Sequence, residues 1–220
     1  MSTTENFSLS DSRFSKVYRN LISKVDTNDP GHDRTHIDRV IFNCLEIADG
    51  SEQVDFDLLL LAALMHDIVN LPKDHPDRAK ASEMAAAKAK EYLVNYDFTD
   101  SEIEKVAQII IEHSFSRGEK PSSIESEILQ DADRLDALGA IGIMRWVTCG
   151  TKLNSQFYHA GDPLSEQRNL DDSKFMLDHY FQKLKKLPEM MNTRKGRELA
   201  KQRIQFMNSF VQNLLAEIRL

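Results

Sequence analysis

Two histidines and a set of carboxylates, spread over three separate stretches of a 220-residue chain, are the residues best suited to chemistry. His36 lies in His32-Asp33-Arg34-Thr35-His36-Ile37-Asp38-Arg39-Val40, and the adjacent pair His66-Asp67 follows an unbroken apolar run over 58–65. Asp131, Asp133 and Asp136 fall close together in a third stretch. Imidazoles combined with carboxylates make a mixed N/O donor set, which suits Mn, Fe, Co, Ni or Mg and is less typical of Zn. Ionisable groups at the end of a buried segment cost several kcal/mol unless they are paired or metal-bound. The plainer readings are that His66 and Asp67 cap a helix or reach solvent, and that Arg134 neutralises the aspartate cluster. Taken together, the three stretches point to one shared metal site.

The elements that would have to position these residues all read as helices. Ile37, Val40, Ile41, Cys44, Leu45 and Ala48 recur at three- and four-residue steps, which makes one face of that segment apolar. Asp33 or Thr35 can cap its start and Gly50 can end it. Residues 58–65 are apolar all round, as expected of a helix at the centre of a core, and deliver His66 and Asp67 at its C-terminal end. A Pro-punctuated connection over 71–76 precedes an Ala-rich helix over about 77–95. The next helix is expected from Thr99 or Ser101 to His113 or Ser114. Residues 125–149 read as one or two helices, with Gly139, Gly142 and Gly150 allowing breaks or close packing. A loop over 154–170 follows, then helices over about 172–187 and 193–220. Leu199, Ile204, Met207, Val211, Leu214 and Ile218 form an apolar stripe on the last of these. The pattern contains no alternating strand, internal repeat or low-complexity tract. The expected fold is all-α, a single helical domain over 1–220 with the metal-site core at about 30–142 and a helical extension at about 151–220.

Composition narrows the partners. Hydrophobic residues make up 41% and charged residues 29%, ordinary for a globular protein, and the net charge is -7. An acidic surface argues against a nucleic-acid backbone as partner but leaves room for a small anion in a local basic pocket. Cys44 and Cys149 have no paired spacing, so they read as small buried hydrophobes outside any disulfide framework. With no signal-peptide core and no membrane-length apolar run, the expected location is the cytoplasm, away from membranes. The stripe on the last helix permits a homodimer. His75 and His159, in polar loops, are expected at the surface. The basic group Lys183, Lys185, Lys186, Arg194, Lys195, Arg197, Lys201 and Arg203 is expected on the wet faces of two helices.

The ordered set His36, His66-Asp67 and Ala132-Asp133-Arg134-Leu135 resembles the H…HD…D signature of the HD-domain superfamily of metal-dependent phosphohydrolases. That resemblance selects Asp133 from its cluster and implies that His36, His66, Asp67 and Asp133 hold one divalent ion, Mn being favoured among Mn, Mg, Fe, Co and Ni. Longer matches, including His66-Asp67-Ile68-Val69-Asn70, Glu112-His113-Ser114, Gly161-Asp162-Pro163 and Asp178-His179-Tyr180, look like a bacterial HD subgroup. Its members are implicated in releasing pyrophosphate from nucleoside or deoxynucleoside triphosphates. The implied substrate is therefore a phosphorylated small molecule, and a nucleotide in particular. In such a site Asp67 or another carboxylate would orient water, while Arg39, Lys73 and His113, with Arg117 and Arg134 behind them, would balance charge on the phosphoryl oxygens. Phe115, Trp146, Phe157 and Tyr158 are candidates for contact with a base. One position departs from the pattern. Several HD nucleotidases carry a glutamate three residues after the paired aspartate, where this chain has Asn70, an amide that cannot relay a proton. Asp33, Asp74 or Glu112 would then have to act in its place, or the water would need no helper. The competing activities are nucleotidase or cyclic-nucleotide phosphodiesterase, a diiron HD oxygenase using His113 as an extra ligand, and a non-catalytic metal-binding sensor.

Overall fold

The computed structural model describes residues 12–24, 33–71, 75–114 and 118–218. These residues form nine α-helices and no strand beyond one isolated bridge, Gln156 with Phe175. The chain divides into two compact units, one ending at Asp133 and the other beginning at Arg134. No helix among the described residues is long and apolar enough to cross a membrane.

The first unit holds α1 (Arg13–Leu21), α2 (Arg34–Ala48), α3 (Phe56–Met65), α4 (Ala81–Leu93), α5 (Asp100–Glu112) and most of α6 (Ile124–Asp136). Every residue of α3 from Leu58 to Met65 is buried, as its all-round apolar sequence requires. It packs against α1, α2 and α5. Each of its five buried leucines contributes roughly 1.5–3 kcal/mol of transfer free energy. The Asp55 side chain starts this helix by accepting from the Leu58 N–H. Asp33 caps α2 in the same way, accepting from the backbone N–H of His36 at 3.0 Å. In α5, Thr99 and Glu102 close a capping box. The Ala-rich helix α4 starts later than the sequence suggests, because Arg78–Lys80 form a 3-10 turn first.

Two amides fasten α6 to its neighbours. Asn43 donates from α2 to the Ala132 carbonyl at 3.0 Å, and Gln130 donates to the Glu112 and Glu119 carbonyls. Cys44 is fully buried, as expected.

The second unit contains α7 (Gly139–Lys152), α8 (Met176–Gln182) and α9 (Arg194–Glu217). Glycine is required at its start. Gly139 takes φ +74, and a Cβ on Gly142 would lie 2.3 Å from the Ala137 carbonyl oxygen. Trp146 is buried, donates to the Met176 carbonyl at 2.6 Å and stacks on Tyr180. Arg168 grips buried Asp178 with both terminal nitrogens, at 2.5 and 2.7 Å, and the Asp171 N–H adds a third bond. The helix expected over 172–187 is shorter, because Lys183 leaves helical geometry and Leu184–Met190 continue as a 3-10 segment containing Pro188. In the stripe of α9, Leu199, Ile204, Met207 and Val211 are buried, while Leu214 and Ile218 are half-buried. The basic group divides. Lys185, Lys186, Arg194, Lys195 and Lys201 are exposed, whereas Arg197 and Arg203 donate to the carbonyls of Met191 and Leu135. His159 is half-buried against the Phe175 ring, not open to solvent.

Candidate metal centre

Three helix ends in the first unit build the site. His36 occupies the first turn of α2, held there by the Asp33 cap, and its side chain is fully buried. His66 is the residue that ends α3, and Asp67 follows it out of the core. His113 ends α5 in the same manner. Both terminal histidines turn the ring back onto the carbonyl three residues earlier, His66 Nδ1 to Ala63 at 2.7 Å and His113 Nδ1 to Ile110 at 2.5 Å. A carbonyl only accepts, so each Nδ1 carries the proton and each Nε2 is left to face the site. Such backbone contacts are what fix a metal-binding imidazole in one orientation.

The inward atoms converge. His36 Nε2 lies 3.3 Å from His66 Nε2 and 3.5 Å from Asp67 Oδ2, which is itself 3.4 Å from His66 Nε2. A triangle with sides of about 3.4 Å has a point about 2.0 Å from every corner, the usual distance between a first-row divalent ion and N or O donors. The donor set therefore fits such an ion, and His36, His66 and Asp67 can hold one. Asp133 stands at the rim, its Oδ1 3.7 Å from His36 Nε2. The other oxygen of Asp67, Oδ1, faces His113 Nε2 at 4.0 Å.

The charges are strongly coupled. Burial opposes protonation of His66, but the neighbouring Asp67 carboxylate prevails and raises it to about 9. Burial would raise Asp67 and Asp133, yet the imidazoles beside them hold both below the ordinary aspartate range. Burial, reinforced by the charge of His66, lowers His113. Among these carboxylates the His66 imidazole favours its protonated form, the charge that a cation would replace.

Other residues named from the sequence occupy different surroundings. Arg39 is half-buried one turn along α2 and donates to Thr35 Oγ1 at 2.9 Å. Asp136 is buried and paired with Arg145. Asp131 is buried, and Arg134 donates to the Met190 carbonyl. Glu112 is buried and accepts from Gln108 and from the Ser122 N–H, so its carboxylate anchors the segment before α6. Asp33 serves as the α2 cap. Phe157 is exposed and Tyr158 half-buried. Lys73, Asp74, Phe115 and Arg117 lie outside the described residues. Sequence reasoning did not find the carbonyls of Ala63 and Ile110. The spacing could have shown them, since a histidine ending a helix lies within reach of the carbonyl three residues back. It also missed the contact from Arg78 to Asn70 Oδ1 at 2.6 Å.

Comparison with known proteins identifies the family. A family model described as HD domain matches residues 34–138. YpgQ of Bacillus subtilis (strain 168), named only as an uncharacterised protein, is 34% identical over 193 residues, 86% of this chain and 85% of that protein. The crystal structure of Bacillus subtilis YpgQ in complex with ADP is similar, with a TM-score of 0.73 and 30% identity, covering 94% of this chain and 97% of that one. An HD-superfamily hydrolase from Bacillus thuringiensis is similar with a TM-score of 0.67 and 27% identity, covering 93% and 97%.

Proposed function

Because this chain belongs to the HD-domain superfamily of metal-dependent phosphohydrolases, we propose that it converts nucleoside or deoxynucleoside triphosphates to the monophosphate and pyrophosphate. The reaction would take place at a centre formed by His36, His66, Asp67 and Asp133. The observation that carries this reading is the triangle of His36, His66 and Asp67 donor atoms at 3.3–3.5 Å. The ADP bound by the similar YpgQ protein supports a nucleotide as the substrate class.

A divalent ion held by these four residues, Mn by preference, would supply Lewis acidity toward the phosphoryl group and activate water for attack. The protein side of the chemistry follows from the donors. His36 and His66 would hold the ion through neutral Nε2 atoms, which would require His66 to give up its proton on binding. Asp67 has Oδ2 beside the two imidazoles and Oδ1 turned to His113, and in this reading it would orient the attacking water. His113 has its Nδ1–H committed to Ile110 and burial lowers its pKa, so its Nε2 is turned to the site as an acceptor. It therefore takes the water proton in this scheme and does not supply positive charge. Arg39, and Lys73 beyond the paired ligands, are assigned to the phosphoryl oxygens, where positive charge offsets what develops in transfer.

Turnover by metal-stripped protein reloaded with Mn tests this, using triphosphates, monophosphates and cyclic nucleotides. Pyrophosphate with monophosphate is the expected pair of products. Nucleoside with phosphate would replace the reading with a nucleotidase, and no turnover with any divalent metal would sink it. The split of Asp67 between His66 on one oxygen and His113 on the other favours one second reading, a bridged two-ion site. Two ions per chain by elemental analysis would establish that version, and one ion would exclude it.

A further inference from the structure

Asn70 stands where the resemblance would place a proton-relaying carboxylate, and its surroundings assign it a different task. Its Oδ1 accepts from the Arg78 guanidinium at 2.6 Å, and the same Arg78 nitrogen also donates to the Leu71 carbonyl. A guanidinium has no acceptor atom, so only the oxygen of the Asn70 amide can face it. This fixes an orientation that is otherwise ambiguous for an asparagine. The amide NH2 is then turned away from Arg78. Among the described residues it has no acceptor, since no hydrogen bond from Asn70 Nδ2 is present and Asn70 has no further partner. Asn70 is half-buried and three residues past Asp67, a separation of about 11 Å at full extension and less along the turn that follows α3. A polyphosphate bound at the metal centre spans that distance. An oriented N–H donor with no internal acceptor, three residues from Asp67, is suited to a phosphoryl oxygen.

We infer that Asn70 is a substrate-contacting residue, donating through its side-chain NH2 to a phosphoryl oxygen of the bound substrate, and that Arg78 is a positioning residue that locks the amide in this orientation. The inference rests on the phosphohydrolase reading above and extends it to a specific oxygen-binding donor. It also accounts for the departure at this position: an acceptor carboxylate is replaced by a donor, which strengthens the hold on an anion and leaves proton transfer to other groups.

The substitution that removes the donor is Asn70→Asp. A carboxylate retains an oxygen for Arg78, so the turn stays anchored, while the NH2 is lost and a negative charge is gained. The probe is inorganic tripolyphosphate, titrated calorimetrically into the Mn-loaded full chain, with nucleotide turnover measured in parallel. Metal content and melting temperature are expected to match the wild type, while tripolyphosphate affinity and kcat/KM fall about ten- to a hundredfold, the range for a hydrogen bond to a charged group. The loss should shrink as salt is raised, because the new carboxylate also repels the anion. Arg78→Lys, which keeps a donor for Oδ1, should retain most of the affinity, whereas Arg78→Met, which frees the amide to rotate, should lose it with metal content unchanged. Wild-type affinity and turnover in Asn70→Asp would overturn the inference while leaving the phosphohydrolase reading intact. A wild-type protein that neither binds tripolyphosphate nor hydrolyses any nucleotide would overturn both.

Discussion

Metal binding should release close to one proton at neutral pH, and the structure sets the size and direction of the effect. In the metal-free protein Asp67 raises His66 to about 9, so at about pH 6 roughly one molecule in a thousand has His66 neutral, and at about pH 8 roughly one in ten. Only the neutral imidazole can bind the ion, so the proton must leave. Apparent Mn affinity should therefore rise about a hundredfold over these two pH units, about 3 kcal/mol, and level off above about pH 9. The folding contribution of His66 has the opposite trend. Its folded-state value lies above the unfolded one, so the stability it gives the metal-free protein is fully present below about pH 6.5 and is lost as pH rises through about 9. Asp67 and Asp133 are lowered, so their contribution is present above the ordinary aspartate range and is lost as pH falls through their depressed values. Chelator competition at a series of pH values gives the affinity slope, and calorimetry in buffers of differing ionisation enthalpy counts the protons. A flat affinity between about pH 6 and about pH 8, with no buffer dependence, would refute the reasoning.

Other perturbations follow from particular contacts. His66→Ala should lose bound metal and activity while remaining folded, checked by elemental analysis and circular dichroism; full metal stoichiometry would remove His66 from the ligand set. Asn43→Ala deletes the donor that holds Ala132, the residue before Asp133, and should lower stability by about 1–2 kcal/mol and weaken Mn binding, read by urea denaturation and chelator competition. Arg168→Ala leaves the fully buried Asp178 carboxylate without its bidentate partner and should cost about 3–5 kcal/mol, seen as a lower urea midpoint. Thr99→Ala removes half of the α5 capping box and should cost about 1 kcal/mol in the same assay.

What the sequence could reveal was set by how local each cause is. The all-round apolar run 58–65 could only be a buried helix, and its polar ending at His66-Asp67 marked the place where the core opens. The caps at Asp33 and Thr99 were legible because a cap acts within three residues. The break between α6 and α7 was left open as one helix or two, since Gly139 requires its positive φ only once the Arg134–Leu138 carbonyl pattern is in place. The overlong expectation for α8 has a similar cause. The segment 172–187 contains good helix formers, but Asp178 accepts from Arg168 and from the Asp171 N–H, and the helix begins only at Met176, after Phe175 in extended form. The site was legible as residue types and not as roles. Nothing along the chain shows that Glu112 is spent on Gln108 and Ser122, or that Asp136 is spent on Arg145. The orientation of Asn70 depends on Arg78, across a Pro-punctuated connection, so it too becomes visible only in three dimensions.

The central claim is that His36, His66, Asp67 and Asp133 form one metal centre. The most direct test is anomalous diffraction from crystals of metal-stripped protein soaked in Mn. The expected result is a strong peak about 2.0–2.3 Å from His36 Nε2, His66 Nε2 and Asp67 Oδ2, with Asp133 drawn to the same ion. No peak within reach of these atoms, or Mn bound only elsewhere on the chain, would contradict it.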